Sequence, residues 1–320
     1  MDIIDTIIIG SGPAGYTAGI YCGRSGIKTL LFEGLKPGGQ LMNTTVIENF
    51  PGFNDPINGY DMIEIMKDQA IKYKCNMKQT NIINITKKSD LFILKDSNDN
   101  SYMCKTIILA MGSSPNKIHF KNADQYWNKG ISSCAVCDGP LPMFRNKKVI
   151  VVGGGDSAME EALFLSKFAS KVIILVRSDK LKATKIMINK VIENEKIKIR
   201  YNEEVVEAFG DNSGLSGDDD LLESIIIHNT KEDKRKKIYC SGLFYAIGQS
   251  PNIELVKDMV ELDKNNYIKK INNTMTSMEG VFTAGDISDP IYRQAITSAA
   301  SGCMAAMDTI RYLSVLSDNK

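Results

Sequence analysis

Two short glycine motifs constrain this chain more than any other feature. Gly10-Ser11-Gly12-Pro13-Ala14-Gly15 follows a strand-like stretch, Asp5 to Ile9, and leads into a helix-like segment through Gly23. Gly153-Gly154-Gly155-Asp156-Ser157-Ala158 recurs 143 residues later, after the strand-like Lys148 to Val152 and before a helical mix of Leu, Ala and Glu, Met159 to Phe168. In a strand–turn–helix unit, the first glycine of such a motif permits the tight turn and the second lets a pyrophosphate approach the backbone. The third small residue lets the helix pack on the strand, with the helix N-terminus facing the phosphates. Gly10, Gly12 and Gly15 fill these places in the first copy; Gly153, Gly155 and Ala158 fill them in the second. The expected fold is α/β, with two Rossmann-like dinucleotide-binding domains holding one dinucleotide each.

The residue that ends the next strand distinguishes the two copies. Thr29 to Phe32 ends at Glu33, a carboxylate that can accept from both hydroxyls of an adenosine ribose and would repel a 2′-phosphate. Val172 to Val176 ends instead at Arg177, with Lys182 five residues further on. Positive charge there suits a 2′-phosphate and predicts NADPH rather than NADH in the second domain.

Later segments make sense if the first domain is resumed near the end of the chain. Ile107 to Ala110 exits through Ala110-Met111-Gly112, and Leu243 to Ile247 exits through Ala246-Ile247-Gly248. Pro115 and Pro251 follow, marking two crossing points between domains. Thr283-Ala284-Gly285-Asp286 closes another short strand, and Arg293-Gln294-Ala295 opens a helix running to about Tyr312. Asp286, at a strand exit, is placed for a flavin's ribityl hydroxyl, and the following helix start for negative charge on a reduced flavin ring. Asp211 to Asp220 and the charged Lys231 to Lys237 read as solvated loops or turns of a small β-meander in the second domain.

Composition closes off other classes. Thirty-nine basic and thirty-eight acidic residues leave a net charge of +1, so no global basic field draws nucleic acid. The longest apolar runs are about five residues against the roughly 20 of a spanning helix, which predicts no membrane span. With the first strand beginning almost at Met1, the expected location is cytoplasmic. Of seven cysteines, Cys22, Cys75, Cys104, Cys240 and Cys303 stand apart and read as small apolar fillers. Cys134 and Cys137 form Cys-x-x-Cys, either a redox couple or half of a zinc site. No second ligand pair accompanies them, and the two histidines, His119 and His228, are isolated, so redox chemistry is the better reading and no metal is expected.

Taken together, these residues resemble the low-molecular-weight thioredoxin reductases over nearly the whole chain. The likeness rests on both glycine motifs, Gly38-Gly39-Gln40-Leu41, Glu48-Asn49-Phe50-Pro51-Gly52, Cys134-Ala135-Val136-Cys137-Asp138-Gly139, Ala284-Gly285-Asp286 and Tyr292-Arg293-Gln294-Ala295-Ile296-Thr297-Ser298-Ala299. The dithiol just before the second glycine motif is the most specific element. The resemblance implies an NADPH domain inserted into a split FAD domain: FAD on residues 1–115 and 246–320, NADPH on residues 116–245. FAD would be lined by Gly10, Gly12, Pro13, Ala14, Gly15, Glu33, Gly39, Gln40, Asn49, Gly112, Gly285, Asp286, Arg293, Gln294 and Ala295. NADPH would be met by Gly153, Gly155, Asp156, Ser157, Arg177 and Lys182.

The resemblance also implies the chemistry: hydride from NADPH to FAD, then electrons to a Cys134–Cys137 disulfide and on to oxidised thioredoxin. Cys137 would face the flavin, Cys134 would attack thioredoxin, and Asp138 would donate and accept the proton. It further implies a homodimer, and rotation of the NADPH domain about hinges near Pro115 and Gly248. The chain departs from the bacterial pattern in three places. Val176-Arg177-Ser178 replaces His-Arg-Arg, Lys182 replaces an arginine, and Met111 replaces the threonine of Ala-Thr-Gly. One guanidinium and one ammonium in place of two guanidinium groups predict weaker discrimination against NADH. The competing readings are a dithiol oxidase, a reductase of another disulfide protein, and a dinucleotide sensor with negligible turnover.

Overall fold

The computed structural model describes residues 2–43, 46–210 and 220–318. The chain divides into two compact units, Met1–Ser114 with Ser250–Lys320 and Pro115–Gln249. The borders expected from the sequence, 115/116 and 245/246, fall one residue after and four residues before these. Most of the expected loop from Asp211 to Asp220 lies outside the described residues.

The first unit opens with β1 (Ile3–Ile9), α1 (Pro13–Arg24) and β2 (Thr29–Phe32). β1 reads IIDTIII and is buried along most of its length, the pattern of a central parallel strand covered on both faces. Gly12 is the N-cap of α1 and Pro13 its first residue, where the missing N–H costs no helix bond. There follow α2 (Gly59–Lys72), β3 (Asn76–Lys78), β4 (Ile82–Lys88), β5 (Leu91–Asp96) and β6 (Ser101–Leu109), and the chain leaves through β7 (Ser113–Pro115).

The second unit holds β8 (Ile131–Ser132), α3 (Ala135–Asp138), β9 (Lys148–Val152), α4 (Asp156–Leu165), β10 (Lys171–Val176), α5 (Lys185–Ile192) and β11 (Ile197–Tyr201). It continues with β12 (Glu203–Gly210), β13 (Leu222–Asn229), β14 (Lys234–Tyr239) and β15 (Gly242–Tyr245). The return is through β16 (Gln249–Pro251), and β17 (Val281–Thr283) and α6 (Ala295–Asp318) complete the first unit.

Among the described residues, the sheet of the first unit is ordered β3-β2-β1-β6-β5-β4, with β17 beside β6. The nine residues of β6 serve two neighbours on one edge. Ser101 to Cys104 pair antiparallel with β5, and Ile107 to Leu109 pair parallel with β17. Late residues are thereby built into the sheet that β1 begins. In the second unit a parallel sheet ordered β11-β10-β9-β15-β8 stands with the expected meander, β12-β13-β14, in which Lys234 to Lys237, expected as loop or turn, are ladder residues of β14 paired with β13. Small residues bring α6 onto α1, since a Cβ on Gly302 would lie 2.1 Å from the Ala14 carbonyl oxygen. Each unit has its own apolar core, with Tyr16, Leu31, Phe92 and Phe282 among the fully buried side chains of the first and Phe244 among those of the second.

Candidate active site

In the first unit the three glycines divide between packing and binding. Gly10 has φ +113°, and a Cβ there would lie 2.2 Å from the Ala110 carbonyl oxygen; one on Gly15 would lie 1.9 Å from that of Gly10. These two are required by the fold itself. A Cβ on Gly12 would meet nothing within 4 Å, so the protein's own packing does not demand glycine there. Gly12 caps α1, whose first N–H groups and dipole favour an anion. The donor set fits the pyrophosphate of a dinucleotide.

Glu33, at the end of β2, is 7% exposed. Its Oε1 accepts from the Tyr16 hydroxyl at 2.8 Å and from the Lys67 ammonium at 2.8 Å. Its backbone oxygen accepts from the Ser11 hydroxyl, which in turn accepts from the Gly38 N–H and so ties the Gly38-Gly39 turn to the first motif. Gly285 lies against the start of α1, where its Cβ would be 2.9 Å from the Ala14 Cβ, so Asp286 arrives beside the same helix. Burial pushes the Asp286 carboxyl above its usual range and Asp289 adds to this, while the Ser298 hydroxyl, donating to Oδ1 at 2.7 Å, and Arg293 pull the other way.

Other residues expected at the FAD site make contacts with one another or with neighbouring loops of the same unit. Gln40 donates to the Ser113 carbonyl, beside Gly112, whose φ is +66° with open space around a Cβ. Asn49 donates to the Gln294 Oε1 at 3.4 Å, 245 positions away in sequence. Asp289 accepts from the N–H groups of Ile291, Tyr292 and Arg293, a turn that leaves Arg293 at φ +49° immediately before Gln294 and the first residue of α6, Ala295.

The second motif repeats this division. Gly153 has φ +152°, with its Cβ position 2.4 Å from the Ala246 carbonyl oxygen, whereas a Cβ on Gly155, the N-cap of α4, would meet nothing within 4 Å. Arg177 and Lys182 are exposed and form no ion pair among the described residues, while Ser157 is exposed on the first turn of α4. The Lys182 and Ala183 N–H groups both donate to the Gly154 carbonyl, at 2.7 and 3.1 Å. Asp156 turns its Oδ1 to the N–H and hydroxyl of Thr184, the N-cap of α5. The loop that carries both cations is thereby fixed to the motif.

Cys134 and Cys137 are joined as a disulfide, a pairing in which the two sulfurs are bonded to each other. Among the described residues no group of three His, Cys, Asp or Glu side chains is placed to hold a metal ion. Cys134 caps the single turn of α3, its Sγ accepting from the Cys137 N–H at 3.2 Å. That donor favours a thiolate at Cys134 once the bond is reduced. Asp138 ends the same turn, and burial pushes its carboxyl above the usual range against an opposing hydrogen bond from Ser132. The other thiols are chemically quiet by comparison. Burial raises all four buried ones, Cys75 and Cys240 to about 12. Cys303 is the half-buried exception among them.

Sequence reasoning passed over Tyr16, Lys67, Thr184 and Ser132. Tyr16 and Lys67 sit on helices and meet Glu33 only in the folded unit. Thr184 had a local signal, an N-cap residue type before the helical stretch from Lys185. Ser132 carried one too, a hydroxyl two residues before a candidate helix N-terminus.

A parallel dinucleotide fold carrying a disulfide in the second unit defines a class, and residues 4–302 match the family of pyridine nucleotide-disulphide oxidoreductases. Relatives narrow the class. Thioredoxin reductase 1 of Saccharomyces cerevisiae is 46% identical over 318 residues, covering 97% of this chain and 98% of its own length. The thioredoxin reductase of Chlamydia trachomatis is 43% identical over 313 residues, covering 96% and 97%. The solved structure of thioredoxin reductase from Giardia duodenalis matches with a TM-score of 0.89 at 36% identity, covering 98% of this chain and all of that one. The chain belongs to the thioredoxin reductase family.

Proposed function

We propose that this chain reduces the disulfide of thioredoxin with electrons drawn from NADPH. The observation that carries the proposal is the Cys134–Cys137 disulfide, closed on one turn with the half-buried Asp138, in the unit whose glycine motif has Arg177 and Lys182 beside it. FAD, when bound, supplies a carrier able to take a hydride from nicotinamide and hand two electrons to a disulfide.

The residues at the first motif would hold FAD: Gly12 and the start of α1 at the pyrophosphate, Glu33 at the adenosine ribose, and Asp286 with the start of α6 at the flavin end. Gly39, Gln40, Asn49, Gly112 and Gln294 would complete that site. Gly155, Asp156 and Ser157 would face NADPH, with Arg177 and Lys182 at its 2′-phosphate.

Reduced Cys134, favoured as a thiolate by the Cys137 N–H, attacks the partner's disulfide, and Cys137 resolves the mixed disulfide. Asp138, held in the neutral form to a higher pH than an ordinary carboxylate, supplies and recovers the proton. Among the described residues no helix is long and apolar enough to cross a membrane. The proposed setting is the reducing cytoplasm, which the five free cysteines support. A homodimer belongs to the same reading, supported by the exposed Tyr21 of α1 and Met304 and Met307 of α6, which a second copy would cover.

NADPH consumption by the FAD-loaded protein, followed with and without oxidised thioredoxin, tests the proposal. Consumption that depends on thioredoxin and disappears in Cys134→Ser is the expected result. Consumption indifferent to thioredoxin, or preserved in Cys134→Ser, would overturn it.

A further inference from the structure

We infer that Ser132 is a positioning residue of the dithiol site, holding Asp138 by Oδ2 so that Oδ1 is the atom that takes up and releases the proton. The inference deepens the function proposed above and rests on it.

Ser132 closes β8 and is 4% exposed. Its Oγ makes two hydrogen bonds, accepting from the Cys134 N–H at 3.0 Å and donating to Asp138 Oδ2 at 2.5 Å. A backbone N–H can only donate, and Asp138 Oδ2 is the acceptor within reach of the hydroxyl among the described residues, so the hydroxyl proton is directed at the carboxyl group. Turning away would leave a buried hydroxyl without an acceptor. The clasp closes from the other side, where the Asp138 N–H donates to the Cys134 carbonyl at 3.1 Å. Asp138 is therefore tied to Cys134 twice, once directly and once through Ser132. With Oδ2 occupied by a donor, the proton of the neutral acid resides on Oδ1.

Two influences bear on this carboxyl group: burial, which raises its proton affinity, and the Ser132 hydroxyl on α3's neighbour β8, which lowers it. Ser132 thus keeps the acid from becoming too weak to give its proton up.

In the exchange, the Cys134 thiolate forms a bond to one sulfur of the target disulfide. The target S–S bond breaks, and its electron pair goes to the other sulfur, which takes the proton from Asp138 Oδ1. Cys137 then gives its proton to Oδ1 and, as a thiolate, bonds to Cys134 Sγ, expelling the target's first sulfur as a thiolate that takes a proton from water. The dithiol loses two electrons and the target disulfide gains two.

The test uses the holoenzyme with aspartate labelled by ¹³C at the carboxyl carbon, Asp138→Asn identifying the Asp138 signal. Loss of a hydrogen bond to a charged group predicts that Ser132→Ala raises the Asp138 pKa by about one to two units. The pH profile of single-turnover thioredoxin reduction by pre-reduced enzyme moves to higher pH by the same amount. Ser132→Thr, which keeps the hydroxyl, returns both to their wild-type positions. A slower reaction with an unmoved titration and profile would make Ser132 merely structural and overturn the inference, as would equal shifts in the Ala and Thr variants. If Ser132→Ala does not fold, Ser132→Cys, with a weaker donor, is read instead, and an unshifted titration there overturns it equally. The titration needs no substrate, so it decides on Ser132 even where the wild-type enzyme proves inert toward thioredoxin, a result that would sink the functional proposal alone.

Discussion

Asp156 Oδ1 accepts from the Thr184 N–H at 2.7 Å and from the Thr184 hydroxyl at 3.0 Å, joining the first residue of α4 to the cap of α5. One carboxylate oxygen thus satisfies an exposed helix start 28 positions away and closes the loop that carries Lys182. Asp156→Ala removes both bonds, and a loss of about 1–2 kcal/mol is expected from the second unit's urea transition. NADPH binding should weaken alongside, because the loop is no longer pinned. Thr184→Ser keeps both donors and should leave both measurements near wild type.

Arg177 carries the expected choice of cofactor. Its guanidinium is exposed and spends no charge on a neighbouring carboxylate among the described residues, so it is available to a 2′-phosphate. Arg177→Ala should weaken NADPH binding by about 10-fold to 150-fold, the range of a charged hydrogen bond, and hardly change NADH. Titration calorimetry with each nucleotide measures this. Equal losses for both would remove Arg177 from the phosphate site.

The glycines of the first motif separate folding from binding. Gly15→Ala drives a Cβ to within 1.9 Å of a carbonyl oxygen, and a loss of more than about 2 kcal/mol in chemical denaturation is expected. Gly12→Ala meets no protein atom within 4 Å and should cost no more than about 1 kcal/mol, the difference between capping residues. The same variant should nevertheless be purified with much less flavin, read from its visible absorbance. Full flavin content in Gly12→Ala would remove that position from the cofactor site.

Acid stability of the first unit has a definite source in Asp96. Burial raises this carboxyl, but donors from Asn100, Tyr102 and Asn98 outweigh it, and its pKa is lowered below 3.8. A depressed carboxylate contributes its stability in full above the unfolded value of 3.8 and loses it as pH falls through the folded value. Asp96→Asn should therefore be less stable than wild type by about 1–2 kcal/mol at neutral pH, with the gap closing below pH 3.8. Urea midpoints of both proteins at neutral and acid pH provide the comparison, and a gap that widens in acid would contradict the assignment.

Much of this was legible in the chain because the signals are local. A glycine turn, the strand before it and the helix after it occupy fewer than about thirty residues, and each part of the unit constrains the next. Thr29 to Phe32 and Lys148 to Val152 fall where the pattern places them. Helix ends were less defined. The pattern carries the last helix to about Tyr312, whereas α6 runs Ala295–Asp318. β4 gave no distinctive pattern because it is largely exposed, and in β5 the strict alternation of burial is hidden by a continuous apolar run, Leu91 to Leu94. At the site, residue types predicted chemistry but not orientation. Nothing in Glu33 alone shows that Tyr16 and Lys67 converge on one of its oxygens, or in Asp156 that Thr184 engages its carboxylate. Those relationships depend on packing between elements distant in sequence.

The seating of Gly302 against Ala14 sets an order of events on the ribosome. The first glycine motif emerges among the earliest residues, yet the helix that covers it and the strand that completes its sheet are among the last to be made. The second unit is continuous in sequence and can close as soon as Gln249 has left the exit tunnel. The first must wait for the final seventy or so residues, with the apolar faces of α1 and β6 uncovered meanwhile. A nascent chain stalled before β17 therefore lacks both the strand that pairs with β6 and the helix that seats on α1.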